Sequence, residues 1–219
     1  MSSRTDAAFP FTGARLEPSG AQARLPPISA GLIGGMAWSG VPGALVLALL
    51  APALILSTGT RSAVALRAFC YFAAATWPIV PSAAVFFGQD GPAVRTIASA
   101  VLGWLAVALA NTAPWILVSP RTAAGRFASL LLGLLLPAVP PLALLGLASP
   151  LTGVGLLLPG GGIWGLIAVL VVGGLSVTAT ARTRRAALVG LCVLTLVAQV
   201  THLARQRADD GWLAVTTAV

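Results

Sequence analysis

The chain alternates between long apolar blocks and short polar joints. Five blocks, residues 68–87, 96–118, 127–147, 163–179 and 186–203, stand out, each near the roughly 20 residues needed to cross about 30 Å of hydrocarbon as a helix. They predict five membrane-spanning helices. The stretch 28–57 is longer and is interrupted at SGVPG, where Gly40, Pro42 and Gly43 disfavour a continuous helix. It reads as one overlong span or as two short ones.

Arginine placement separates these readings, because cytoplasmic loops of membrane proteins collect basic residues. If 28–57 is a hairpin and the N-terminus is cytoplasmic, ten arginines share that side: 4, 15, 24, 61, 67, 121, 126, 182, 184 and 185. Only Arg95, Arg205 and Arg207 then lie outside. A single span moves every later loop across and makes the split seven to six. The asymmetry favours seven crossings, the first two short and forming a hairpin or a re-entrant pair.

Composition agrees with this class. Mean hydropathy is +0.95, and 58% of residues are hydrophobic against 8% charged, where a soluble domain carries about a quarter charged. The expected fold is all-α, a polytopic transmembrane bundle of about seven spans with a cytoplasmic N-terminus and a periplasmic C-terminus. Residues 1–27 form a disordered, basic cytoplasmic leader, 28–204 the transmembrane domain, and 205–219 a periplasmic tail. A cleaved signal peptide does not fit, since the basic region is too long and no small-residue cleavage site follows the first apolar run. The net charge of +8 does not point to nucleic acid. The arginines are scattered singly or in twos and threes, without aromatic interleaving.

Little in the spans carries chemistry. No Asp, Glu, Lys or Arg lies at the centre of any block, which argues against ion-coupled transport. Pro78, Pro81, Pro114, Pro137, Pro140 and Pro141 interrupt spans and predict kinked, closely packed helices. Asn111 is the most polar mid-span side chain. An amide there lines a cavity or, as commonly, bonds a neighbouring helix. The GxxxG pairs Gly31/Gly35 and Gly161/Gly165 allow helices to approach closely. Residues 149–165, SPLTGVGLLLPGGGIWG, are uncharged and too rich in Gly and Pro for a regular span. They predict an interfacial loop with Trp164 at headgroup level, a candidate lipid-access rim together with Asn111, Gly161 and Gly165. His202 is the sole histidine and has no cysteine or acidic neighbour, so no metal site and no cofactor are expected. Cys70 and Cys192 both lie in apolar runs and read as small hydrophobes, not as a disulfide pair.

Several stretches together resemble the TraB family of conjugal transfer proteins from Agrobacterium- and Rhizobium-type plasmids: GGMAWSG, the short first hairpin, YFAAATW, SPLTGVGLLLPGGGIWG, and GWLAV after the last span. That family is similar in turn to apolipoprotein N-acyltransferase, whose membrane module carries a nitrilase-like domain on the periplasmic face. The resemblance implies that 205–219 is the start of such a domain, with the remainder absent. Nitrilase-type acyl transfer needs a cysteine nucleophile, a glutamate base and an oxyanion-stabilising lysine. This sequence has no Lys, and its sole Glu, Glu17, lies in the leader. No catalytic residue carries over.

The expected role is the membrane-anchoring module of a TraB-like protein in the bacterial inner membrane. It would offer lipid or acyl substrates access to an outer-face domain without catalysing a reaction itself. Membrane lipids and conjugation-machinery proteins are the expected partners. The alternative is a complete small polytopic protein acting as an oligomeric channel-like or partner-binding subunit.

Overall fold

The computed structural model describes residues 26–41, 43–87, 93–140, 142–178 and 181–216. The predicted leader lies outside the described residues except at Pro26 and Pro27. Among the described residues the chain is all-helical. Helix α1 (Pro27–Ala37) starts with proline, whose missing N–H costs nothing at that position. A turn follows in which Gly40 and Gly43 take φ of +79° and +78°, a left-handed backbone that side chains resist. The chain then runs through a 3-10 helix (Ala44–Leu50) directly into α2 (Ala51–Ile55). SGVPG thus breaks 28–57 into two short helical arms.

Helix α3 (Arg61–Thr76) is the centre of the molecule. The glycines of α1 bring it to α3 at very short range, Gly31 over the Cys70 carbonyl and Gly34 over that of Tyr71. Tyr71 and Phe72 are fully buried, stack edge to face at 5.1 Å, and meet Trp115 in a core that also holds Ile55, Leu56 and Leu130. Pro78 ends α3, and α4 (Ile79–Phe87) leaves at 41° to it. Such a bend is the usual effect of a residue that cannot donate to the preceding turn. Helix α5 (Ala93–Thr112) packs beside α3, where Trp104 Nε1 donates to the Ala73 carbonyl at 2.8 Å. At Pro114 it tightens into a 3-10 turn, Ala113–Ile116.

Helix α6 (Ala123–Leu135) is capped by Thr122, whose hydroxyl accepts from Gly125 N at 3.0 Å. Pro137 again converts its end to 3-10. Two further 3-10 turns, Leu142–Leu144 and Gly146–Ala148, and the one-turn α7 (Val154–Leu157) lead to α8 (Gly162–Thr178). Helix α8 lies on α6 where Gly173 and Gly174 admit Leu130 and Phe127. The last helix, α9, extends from Ala181 to Thr216.

Two expectations change. Among the described residues, two helices are long and apolar enough to cross a membrane, Val94–Ile116 and Arg185–His202, and the bent α3–α4 pair makes a third if it counts as one span. Pro27–Ala37, Ala44–Ile55, Ala123–Ala138 and Gly162–Thr178 are shorter apolar helices, so seven full-length crossings are not present as continuous helices. Proline and glycine are the reason: they close helices before about 20 residues have accumulated. Secondly, residues 205–216 continue α9 instead of leaving it as a separate tail. The run ARQRA supplies good helix formers, and the weaker formers after it do not stop a helix already nucleated.

The surface of this bundle is apolar. Phe86, Val85, Val94, Leu102, Trp164, Val189 and Leu196 are each at least 63% exposed. A protein in water rarely exposes so many large apolar side chains.

Candidate functional site

Helix α9 places Cys192, Thr195, Leu196 and Gln199 at i, i+3, i+4 and i+7, hence on one face. Opposite them stand Trp38 at the end of α1, the glycine turn, and Leu45 and Val46 of the first hairpin's second arm. Leu157 of α7 also lines the space, and the cleft measures about 740 Å³. That volume lies within the roughly 300–1,000 Å³ of small-molecule sites. Its lining is apolar except for a few groups, and among the described residues it contains no acidic, basic or histidine side chain. Val41 and Leu196, both at its rim, are exposed, so the cavity opens sideways between the hairpin and α9.

The polar groups of this wall differ in their state. Trp38 Nε1 donates to the Tyr71 hydroxyl at 3.0 Å, which ties the hairpin to the core of α3. Gln199 Nε2 donates to the Leu157 carbonyl at 3.3 Å, joining α9 to α7. Thr195 is 5% exposed, and its hydroxyl oxygen has no hydrogen-bond partner. Threonine on an apolar helix usually returns its hydroxyl to a carbonyl one turn back, as Thr76, Thr112 and Thr201 all do here. Thr195 does not.

A second cavity, shallow and about 590 Å³, lies on the other side of α1. Gly31, Leu32, Gly35, Cys70, Trp77 and Trp104 are among its walls, which are almost wholly apolar.

The residues singled out from sequence occupy other places. Asn111 is 2% exposed inside the bundle, where its Nδ2 donates to the carbonyls of Val107 at 2.9 Å and Leu145 at 2.7 Å. The second of these bonds ties α5 to the proline-rich segment after α6. Trp164 is 75% exposed at the start of α8. Gly165 packs on Val154 and Leu158, and Gly161 on Leu158, so this pair seats α8 on the preceding turn of the chain. Gly31 and Gly35, by contrast, do bring two helices together, α1 and α3. Neither Asn111, Gly161, Gly165 nor Trp164 lines the two cavities. Sequence reasoning missed Thr195 and Trp38. The available signal was the i, i+4 spacing of Thr195 and Gln199, a short polar stripe on an otherwise apolar helix.

A protein of Sinorhizobium fredii (strain NGR234), described as a probable conjugal transfer protein TraB, is 34% identical to this chain over 151 residues. The chain is similar to this TraB protein. The resemblance seen in the sequence therefore rests on an alignment as well as on motifs. The match takes in 67% of this chain and 36% of the TraB protein, so the chain spans about a third of that protein's length. No protein-family model and no solved structure matches the chain.

Proposed function

We propose that this chain is the membrane-anchoring helical module of a TraB-like conjugal transfer protein, held in the bacterial inner membrane by several passes. It supports plasmid transfer by fixing an outer-face domain at the bilayer and giving lipid or acyl substrates a lateral route to it. The observation that carries this reading is the TraB match. The outward-facing apolar surface supports the membrane part of it, since Phe86, Trp164 and Val94 are 76%, 75% and 80% exposed. The chemistry is assigned elsewhere: the sequence has no Lys and one Glu, Glu17, so a lysine- and glutamate-dependent acyl transfer has no residues to use here. Lipids and other conjugation proteins are its proposed partners.

The test is disruption of the coding segment in the host plasmid, with mating frequency and membrane fractionation read together. Transfer should fall by orders of magnitude and recover on complementation in cis with the intact gene. The protein should stay with membranes after an alkaline carbonate wash. Undiminished mating would remove the conjugation role, and release by carbonate would remove the anchor.

A further inference from the structure

We propose that the end of the bundle where α3, α6 and α9 begin is a docking surface for anionic phospholipid headgroups, whose phosphates meet Arg61, Arg121, Arg182 and Arg185. The proposal rests on the membrane part of the reading above and is independent of conjugation.

Contacts along the helices bring these starts together. Trp104 bonds the Ala73 carbonyl and Trp115, further along the chain, meets Phe72, so the chain after α5 runs back toward the start of α3 at Arg61. The Ser129 hydroxyl donates to the Val118 carbonyl and Arg126 Nε to that of Pro120, which folds the start of α6 against the same joint. Phe127 packs at Gly174 near the end of α8, so α9 begins beside α6. The four arginines named above are exposed. Arg67 and Arg126 are buried and turn inward, onto the carbonyls of Leu54 and Pro120.

This placement opposes the electrostatics of the helices themselves. A helix start carries partial positive charge that favours Asp or Glu and disfavours arginine. None of the three helices has an acidic residue in its first turn. Instead Arg61 opens α3, Arg182 and Arg185 stand at the opening of α9, and Arg121 precedes the Thr122 cap of α6. Among the described residues the acids are Asp209 and Asp210. They follow Arg185 on α9 by about 36 Å at 1.5 Å per residue, well beyond the screening length. An anion from outside relieves this repulsion. The neighbouring side chains decide which anion. Leu66, Phe127 and Val189 are exposed large apolar groups within six residues of Arg61, Arg121 and Arg185. Hydrocarbon therefore begins beside the charges, and the anion must sit where hydrocarbon meets water, as a phospholipid phosphate does. A nucleic acid or an acidic protein would need the charges on a face clear of that hydrocarbon.

The test incubates the full chain in nonionic detergent with equal amounts of phosphatidylglycerol and phosphatidylcholine, removes free micelles, and counts retained lipids by mass spectrometry. The parent should retain about five-fold or more phosphatidylglycerol over phosphatidylcholine, the gain from one arginine in contact or more. Combined Arg61→Gln, Arg121→Gln, Arg182→Gln and Arg185→Gln should bring the ratio near parity, and raised salt should lower it in the parent. Arg95→Gln with Arg205→Gln, exposed arginines away from these helix starts, should leave it unchanged. Thermal unfolding in the same detergent guards against a misfolded variant. Without lipid the four-fold variant should be at least as stable as the parent, and phosphatidylglycerol should stabilise the parent alone.

Parity in the parent overturns the surface, and so does an undiminished ratio in the four-fold variant. Equal loss on changing Arg95 and Arg205 overturns its assignment to this end. Displacement of the lipid by millimolar inorganic phosphate or by a short DNA duplex overturns the lipid as partner and names the other anion. Retained phosphatidylcholine and resistance to carbonate extraction would show that the membrane anchor stands even where this proposal fails.

Discussion

Alanine at Gly34 isolates the contact that holds the first hairpin to the rest of the molecule. A Cβ built there lies 2.4 Å from the Tyr71 carbonyl oxygen and 3.0 Å from Tyr71 Cδ2. Both belong to a residue whose backbone is locked in α3 and whose ring is fully buried. To restore even a 3.0 Å separation, α1 must move off α3 by about 0.6 Å or more. One residue further along, a Cβ at Gly35 lies 3.7 Å from Ala74 Cβ, an ordinary contact. Both substitutions gain the same helix propensity, about 1 kcal/mol for Gly to Ala, so their difference reports the steric term alone. Overpacking of this kind costs ~1–3 kcal/mol. Gly34→Ala should therefore be less stable than Gly35→Ala by that amount, a shift of roughly ten-fold or more in the unfolding equilibrium at mid-range. The assay is titration of the protein from mild detergent into dodecyl sulfate, followed by tryptophan fluorescence, with Gly103→Ala as a reference because a Cβ there meets nothing. Equal stability of the Gly34 and Gly35 variants would refute the close approach of α1 to α3.

Three other substitutions read single interactions by the same titration. Asn111→Leu should cost about 1–2 kcal/mol, because the Leu145 carbonyl loses its donor inside an apolar bundle; unchanged stability would mean that this bond contributes nothing. Trp38→Phe should cost about 1 kcal/mol by removing the donor to the Tyr71 hydroxyl, and adding Tyr71→Phe should return part of the loss, since an apolar pair leaves no orphan group; strict additivity would show the two are uncoupled. Gly43→Ala should cost ~1–2 kcal/mol through its φ of +78° although a Cβ there meets no atom, and a gain in stability would show that the turn can adopt another backbone.

Much of the helical plan was legible in the apolar blocks. The segments 96–118 and 186–203 correspond to the two spanning-length helices of the structure, and SGVPG breaks the first stretch as its glycines and proline require. The count of full spans was less legible. Hydropathy averages over a block, whereas a proline acts on the hydrogen bond of one turn, so 127–147 looked continuous in composition and is in fact a short helix followed by 3-10 turns. The polar continuation of α9 was obscured for a related reason. A change in hydropathy marks a change of environment, and a helix can pass through such a change without ending.

The candidate site divides along the same line. By itself the sequence determined the class, the apolar exterior, the scarcity of charge, the TraB resemblance and the absence of lysine, because these depend only on which residues the chain contains and in what order. Only the tertiary structure decided that the Asn111 Nδ2 donates to a carbonyl of a neighbouring segment while its Oδ1 and the Thr195 hydroxyl are buried without a partner. It also decided that Trp38 and Thr195, more than 150 residues apart in sequence, share one cavity. Whether a polar group is satisfied, and what it faces, depends on atoms brought from distant parts of the chain, and local pattern carries no record of them.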